Sequence, residues 1–190
     1  MGKKSLKPTS AVLLTPVVLV TCQEEGKNPN IITLAWVGVA NSDPPMISMA
    51  IRPERHSHGI IQKTGEFVAN LPTVAILKEM DFCGVASGSK VDKFSETNLT
   101  PLPAEKLKAP LIKECPVNLE CRVKQVIPLG SHDLFLGEVV AAHMDEEIRS
   151  EKGRMDMRKA RLFAFCPGAM EYWSLGEEIG KYGFTKGKLD

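Results

Sequence analysis

Four polar residues stand at the ends of otherwise apolar segments in the first third of the sequence: Asn30, Thr33, Arg52 and Ser57. A phosphate dianion is held by cationic side chains, hydroxyl donors and free backbone N–H groups. The segment from Arg52 to Ser57 supplies all three where a strand is expected to give way to a helix. These residues favour a site for a phosphorylated ligand, and an exposed polar loop is the alternative that spacing alone leaves open.

The sequence lacks the signatures of several other nucleotide and hydrolytic sites. It has no G-x-G-x-x-G fingerprint, which argues against a Rossmann dinucleotide site. The stretch 84–90 contains two glycines, but Ser89 precedes Lys90 where a P-loop needs glycine. The G-x-S-x-G elbow of α/β-hydrolases and the H-E-x-x-H motif of zinc proteases are also missing.

The histidines and cysteines form no recognisable metal-binding pattern. His56 and His58 would share one face of a strand, but no carboxylate or cysteine cluster accompanies them, so solvated or structural histidines are favoured. The five cysteines are scattered and contain no C-x-x-C pair, which predicts reduced, mostly packed thiols. Cys83 is expected to be packed rather than reactive. We predict no metal site.

The charge balance argues against partners that need a strong electrostatic field. Lys and Arg number 24 and Asp and Glu number 23, so nothing concentrates nucleic acid or an anionic membrane surface. The apolar stretch 11–20 is interrupted by Thr15 and Pro16, and we expect no signal peptide. No apolar run approaches the roughly 20 residues that cross a bilayer. We expect a cytoplasmic protein without nucleic-acid or membrane partners.

The elements expected to position the candidate site are short strands. Apolar and β-branched runs at 17–22, 31–40, 46–52 and 66–71 alternate with turn residues, which predicts a meander. Ser57 is expected to cap a short helix that ends near Gly65, and Thr73 to cap a helix that passes through Cys83 and ends at Gly84.

The second half of the sequence predicts a proline-containing loop and a long hairpin. Four prolines between Thr97 and Pro116 predict an extended surface loop that could gate a site or only cover the surface. Period-two alternation predicts a strand at 117–123, paired with 134–142. A helix at 154–161 and strands at 163–166 and 170–174 follow. Many strands with few short helices favour a closed or partly closed barrel.

Five blocks of the sequence form an ordered pattern over about residues 15–175. The blocks are Asn30-Ile-Ile-Thr33-Leu-Ala-Trp36 with Ser42-Asp-Pro-Pro45 and 46–52, then Phe67-Val-Ala-Asn70-Leu, Ser87-Gly-Ser-Lys90-Val-Asp-Lys93-Phe94, Cys115 to Val123, and Gly130-Ser-His132-Asp-Leu-Phe-Leu-Gly137-Glu-Val139. Together they resemble the flavin reductase-like and flavoredoxin family. Within the stretch 52–57, Arg-Pro-Glu-Arg-His-Ser is closer to flavoredoxins than to the reductase partners of monooxygenases.

The resemblance implies a mainly β fold with short helices, a six-stranded Greek-key split β-barrel that forms a homodimer with FMN near the subunit interface. One domain over 1–190 is expected, with its core at about 15–175 and a polar tail at 176–190. Carried over position by position, the resemblance implies these FMN-binding residues: Asn30, Thr33, Leu34, Ala35, Trp36, Ala50 and Ile51, then Arg52, His56 and Ser57 at the phosphate, and Ser87, Lys90 and Lys93 from the following loop.

The resemblance also implies an activity. NADH or NADPH would reduce the bound FMN, which would pass electrons to free flavin, ferric iron or a redox protein. His132 would assist as the catalytic residue, although Gly130-Ser131-His132 stands where many flavin reductases have Gly-Asp-His. An FMN electron carrier with little nicotinamide turnover is the alternative, and a storage or sensor module is a third. For Trp36 a core or interface aromatic, and for Lys93 a solvated charge, are the alternative interpretations.

Overall fold

Twelve strands and four short helices make up the regular structure of residues 2–186, the part of the chain described by a computed structural model. The expected mainly β fold with short helices is therefore confirmed. The strands are β1 (Thr15–Pro16), β2 (Val18–Cys22), β3 (Asn30–Leu34), β4 (Val37–Ser42), β5 (Pro45–Ile51), β6 (Glu66–Leu71), β7 (Pro101–Leu102), β8 (Leu111–Ile112), β9 (Val117–Pro128), β10 (Asp133–Met144), β11 (Phe163–Cys166) and β12 (Glu171–Ser174), and the helices are α1 (His56–Thr64), α2 (Leu77–Val85), α3 (Lys93–Thr97) and α4 (Met157–Ala160).

The main sheet has seven antiparallel strands in the order β3-β2-β6-β9-β10-β5-β4. Its two edge strands, β3 and β4, are joined only by Ala35 and Trp36. Six strand spacings of about 4.8 Å would separate these edges by about 29 Å in a flat sheet. Three Cα steps of about 3.8 Å span at most about 11 Å. The sheet must therefore curl, and its edges meet at the Ala35–Trp36 link, as expected for a split barrel.

The barrel is packed on both faces of its first strands. On β2, Val18, Val20 and Cys22 point into the barrel interior, whereas Leu19 contacts the outer layer formed with α2, α3 and β11. Two residues of α1, Ile60 and Ile61, belong to the interior cluster. Both faces of β2 are therefore buried, and α1 packs against the interior of the barrel.

Several expected element boundaries are wrong. The run 31–40, taken as one strand, is divided between β3 and β4, which makes seven strands in the main sheet rather than six. Arg55 rather than Ser57 is the N-cap of α1, while the expected end at Gly65 is confirmed by its left-handed φ of 68°. Thr73 caps a single 3-10 turn, and α2 continues past Gly84 to Val85.

The hairpin expected at 117–123 and 134–142 is confirmed and is longer, because β9 and β10 each have twelve residues. The strand at 163–166 has the predicted bounds, and β12 begins one residue later than predicted. The helix expected at 154–161 is only the four residues of α4.

The proline-containing loop is held firmly against the barrel. It contains the two short strands β7 and β8 and is otherwise irregular. The fully buried Glu120 of β9 accepts hydrogen bonds from the backbone N–H groups of Glu105 and Lys106, at 2.8 and 2.7 Å. Asn70 accepts from the N–H of Ile112 at 3.0 Å. These contacts make the loop a fixed covering of the barrel wall.

The carboxyl-terminal segment expected as a polar tail is described only as far as residue 186, and its last four residues lie outside the described part. From 175 to 186 it forms no strand or helix, and Ile179, Tyr182 and Phe184 are exposed. The tail is therefore less polar at its surface than predicted. In residues 2–186, no helix is long and apolar enough to cross a membrane.

Candidate functional site

Two adjoining cavities form a groove where β3, β5, the start of α1 and the end of α2 meet. The first has a volume of about 140 Å³ and is lined in part by Trp36, and the second has a volume of about 270 Å³ and is lined in part by Ser57. We call them the Trp36 section and the Ser57 section. Ile32, Arg55 and Gly84 line both, so the groove is continuous.

Most residues singled out from the sequence line this groove. Lys90 is the exception: it is exposed and lines neither section. The Trp36 section is lined by Thr33, Leu34, Ala35, Trp36, Ala50, Ile51, Arg52 and His132, and the Ser57 section by Asn30, His56, Ser57, Ser87 and Lys93.

The structure separates residues that were expected to act together. Arg52 lines the Trp36 section, whereas His56 and Ser57 line the other, so the structure does not bring Arg52 together with the two residues expected to share the phosphate. Arg55, which the sequence interpretation missed, lines both sections. Residues 52–55 connect β5 to α1, with Arg52 next to the strand and Arg55 next to the helix. Arg55 rather than Arg52 therefore lies beside the first turn of α1.

Five further residues that line the groove were missed because no local sequence motif marks them as part of a binding site: Ile32, Glu54, Gly84, Ala86 and Gly88.

The Ser57 section is built around the first turn of α1. Arg55, the N-cap residue, makes no side-chain capping hydrogen bond, and the first turn contains no acidic residue. The N–H of His58 is bonded to the Arg55 carbonyl at 2.9 Å, but those of His56 and Ser57 have no capping side chain. These two N–H groups are available to an anion, and the helix dipole favours one there. Across the section, the Asn30 amide donates to Ser57 Oγ at 2.7 Å, which fixes both side chains.

Lys93 forms a buried wall of the same section. Its side chain is not a solvated charge, because the residue is only 3% exposed. Its Nζ donates to the carbonyl oxygens of Ile31 and Cys83, both at 2.7 Å, and so joins α3 to β3 and α2. Burial lowers the pKa of Lys93, an effect that the nearby Cys83 opposes.

Gly88 allows the loop after α2 to approach β3 closely. A Cβ placed on Gly88 would lie 1.9 Å from Asn30 Oδ1, far inside any permitted contact. Ser87, next to it, also lines the Ser57 section and bonds Ser89 Oγ at 2.9 Å. Glycine is thus needed here because the backbone itself forms part of the wall.

The Trp36 section combines apolar walls with polar groups at its rim. Trp36 is 40% exposed, and its carbonyl accepts a hydrogen bond from the N–H of Ala50 at 2.9 Å. Arg52 is half-exposed and lies 3.7 Å from Glu54. His132 Nδ1 lies 2.9 Å from Ser131 Oγ. Burial and, to a smaller extent, Arg52 lower the pKa of His132, which favours the neutral imidazole near pH 7.

The two histidines of α1 differ in environment. Because both lie on a helix, the expectation that they share a strand face is wrong. His56 is exposed in the groove, whereas His58 is buried against Asp133. Within residues 2–186, no cluster of His, Cys, Asp and Glu has the arrangement of a metal site. Four cysteines are buried and all five are free, as expected.

Solved structures with this architecture include two flavoredoxins. The flavoredoxin of Desulfovibrio vulgaris (Miyazaki F) is 33% identical, with a TM-score of 0.91 over 98% of this chain and 100% of that one. The flavoredoxin from Methanosarcina acetivorans is 31% identical, with a TM-score of 0.87 over 98% of each chain. Both likenesses extend over nearly the whole chain.

An uncharacterized protein of Archaeoglobus fulgidus is 40% identical over 114 residues, which are 60% of this chain and 64% of that protein. The match thus spans just under two thirds of that relative. The family model described as the flavin reductase like domain matches residues 11–169, which include every strand of the main sheet and both sections of the groove. The chain belongs to the flavin reductase-like domain family.

Proposed function

We propose that the groove binds FMN, with the phosphate in the Ser57 section and the ring system along the Trp36 section. The observation that carries this proposal is the first turn of α1, which has no side-chain cap and offers the N–H groups of His56 and Ser57 beside Arg55. A dianion is stabilised at such a helix N-terminus by the dipole and by charge-assisted hydrogen bonds. The likeness to flavoredoxins supports the same ligand.

The walls of the Trp36 section suit a flat, partly apolar ring. Leu34, Ala35 and Ala50 offer small or apolar surface, and Trp36 can stack on an aromatic face. The Ala35–Trp36 link lies outside the regular strands, and its Trp36 carbonyl is already bonded to the N–H of Ala50. The other peptide groups of the link would contact polar ring edges. Arg52 at the rim stabilises negative charge in this section.

The activity that we propose is electron transfer from NADH or NADPH through the flavin to an acceptor, and free flavin, ferric iron or a redox protein would serve. When bound, FMN supplies hydride acceptance and onward electron transfer. The residues of the Trp36 section would hold the ring. Membership of the flavin reductase-like family supports a flavin-related redox role.

His132 is the residue that we assign to contact the reductant. It lies at the rim of the Trp36 section, and the lowered pKa favours its neutral form, which can donate or accept a hydrogen bond. His132→Ala should slow flavin reduction by NADH and leave FMN affinity unchanged. Unchanged reduction kinetics in this variant would remove the assignment.

An electron carrier that turns over little nicotinamide is the second candidate. Ser131 occupies the place of the acidic neighbour found in many flavin reductases, and the likeness to two flavoredoxins favours this role. The two candidates share the FMN site and differ in the electron donor.

Anaerobic addition of NADH or NADPH to the FMN-loaded protein separates these candidates. Loss of the flavin absorbance within seconds supports the reductase. Bleaching only by dithionite or a reduced redox protein supports the carrier, and a flavin that none of these agents bleaches would contradict both.

We also propose a homodimer. Exposed apolar side chains on β12 and the carboxyl-terminal segment, among them Trp173, Ile179 and Phe184, offer surface that a second copy would bury. Light scattering coupled to size exclusion should give twice the mass of the 20.8 kDa chain. A monomeric mass at micromolar concentration would contradict the dimer.

A further inference from the structure

His58 and Asp133 connect the two segments that carry the polar residues of the groove. His58 directly follows the residues of α1 in the Ser57 section, and Asp133 directly follows His132. His58 Nε2 lies 2.8 Å from Asp133 Oδ2, and their side chains are only 6% and 17% exposed. This contact therefore connects the first turn of α1 to the start of β10, next to His132.

Both partners of this contact are held in place by other interactions. The His58 ring packs edge-on against Phe135, with centroids 5.2 Å apart and planes at 81°. Phe135 is fully buried in the barrel interior. Asp133 is the first residue of β10, and it pairs with Ile51 of β5. The His58 ring is thus fixed by packing, and the Asp133 backbone is fixed by the sheet.

The turn that carries His132 is held by backbone bonds and by one side-chain contact to α1. Its N–H···O bond from Leu129 to His132, at 2.9 Å, closes the turn. The sheet holds its end, because Asp133 pairs with Ile51 of β5 and Pro128 of β9. The Asp133 carboxylate adds a direct link to α1 through His58.

We propose that His58, through Asp133, is a positioning residue that sets the place of His132 relative to the Ser57 section. A ligand held at α1 then meets the His132 imidazole at a fixed separation, which is what an oriented reaction needs. The consequence for activity rests on the function proposed above. The positional claim itself concerns the protein alone and can be measured without FMN.

Two substitutions at position 58 form a matched pair. His58→Gln keeps an N–H donor near the place of Nε2, whereas His58→Leu keeps apolar volume and removes the donor. The chain has four histidines, so their imidazole ¹⁵N signals can be assigned by single substitutions. In the FMN-free protein, His58→Leu should shift the signals of His132 and leave those of His143 in place. His58→Gln should leave both near their original positions.

The FMN-loaded variants provide the functional readout. His58→Leu should lower the limiting rate of flavin reduction by about tenfold, with FMN affinity unchanged, and His58→Gln should restore the rate. Unmoved His132 signals in the folded Leu variant would overturn the inference, and so would equal losses in both variants. If the Leu variant does not fold, His58→Asn, whose donor is too short to reach Asp133, replaces it. A protein that fails to bind FMN refutes the proposed function and leaves the ¹⁵N comparison decisive.

Discussion

Gly88 and Asn30 show how closely the groove depends on single residues. The loop after α2 approaches β3 so tightly that a Cβ at position 88 would overlap the Asn30 side chain unless one of them moved. Asn30 in turn donates to Ser57, so a displacement at Gly88 reaches the residues that we assign to the phosphate. The shape of the Ser57 section is thus set by one glycine as well as by its polar groups.

Gly88→Ala should weaken FMN binding by about tenfold or more, because the loop or Asn30 must move to relieve the overlap. Fluorescence quenching of FMN measures the affinity. Gly59→Ala is the matched control, because Gly59 is exposed on α1 with open space around it. That control should bind FMN normally and be slightly more stable. Equal affinities for the Gly88 variant and the control would contradict the assignment of the loop to the site.

At the scale of elements, β9 anchors the proline-containing loop through Glu120. Burial opposes ionisation of this carboxyl, but hydrogen bonds from the N–H groups of Glu105 and Lys106 and from His143 outweigh it and lower the pKa of Glu120. The loop lines neither section of the groove. Of the two roles that the sequence left open, the contacts support a covering rather than a gate.

Glu120→Gln should lower the free energy of unfolding by about 1–3 kcal/mol, because the amide keeps one acceptor oxygen for two backbone donors. Urea denaturation measures the loss, and hydrogen exchange at Glu105 and Lys106 should become faster. The exposed Glu105→Gln variant serves as control and should change stability little. Unchanged exchange at both amides would show that Glu120 does not hold the loop.

The elements also show what local patterns can and cannot predict. Strands 66–71 and 163–166 were placed correctly because turn residues bound their apolar runs. The break at Ala35 and Trp36 was missed because no glycine or proline marks it. That break exists because the barrel closes there, a property of the whole sheet. The family resemblance was enough to predict that Thr33 and Trp36 line the groove. The position of Arg55 in the groove could not be predicted, because it depends on the path of the connection between β5 and α1.

At the scale of the whole molecule, the barrel and its outer layer bury four thiols. Burial raises the pKa of Cys22 and of Cys121 to about 12 and that of Cys83 to about 11, and it also raises the pKa of Cys115. These groups stay protonated in the folded state at pH values where they ionise in the unfolded chain.

Stability should therefore fall as the pH rises above about 9, because the unfolded state then binds fewer protons than the folded state. Each thiol contributes at most about 1.4 kcal/mol per pH unit between its unfolded and folded pKa. Urea unfolding at pH 7, 9 and 10 under reducing conditions measures this. Cys121→Ala should be less stable at pH 7 but show a shallower decline. A free energy of unfolding that stays constant from pH 7 to 10 would contradict the burial of these thiols.

The central claim, that the groove holds FMN by its phosphate at the first turn of α1, is tested most directly by titrating the flavin-free protein with FMN and with riboflavin in a calorimeter. FMN should bind at one site per chain and at least about a hundredfold more tightly than riboflavin, since two charge-assisted hydrogen bonds contribute about 1.5–3 kcal/mol each. Arg55→Gln should reduce the ratio of the FMN affinity to the riboflavin affinity, and the control Arg122→Gln, at an exposed arginine, should leave that ratio unchanged. Equal affinities for the two flavins, or no binding of either, would contradict the account.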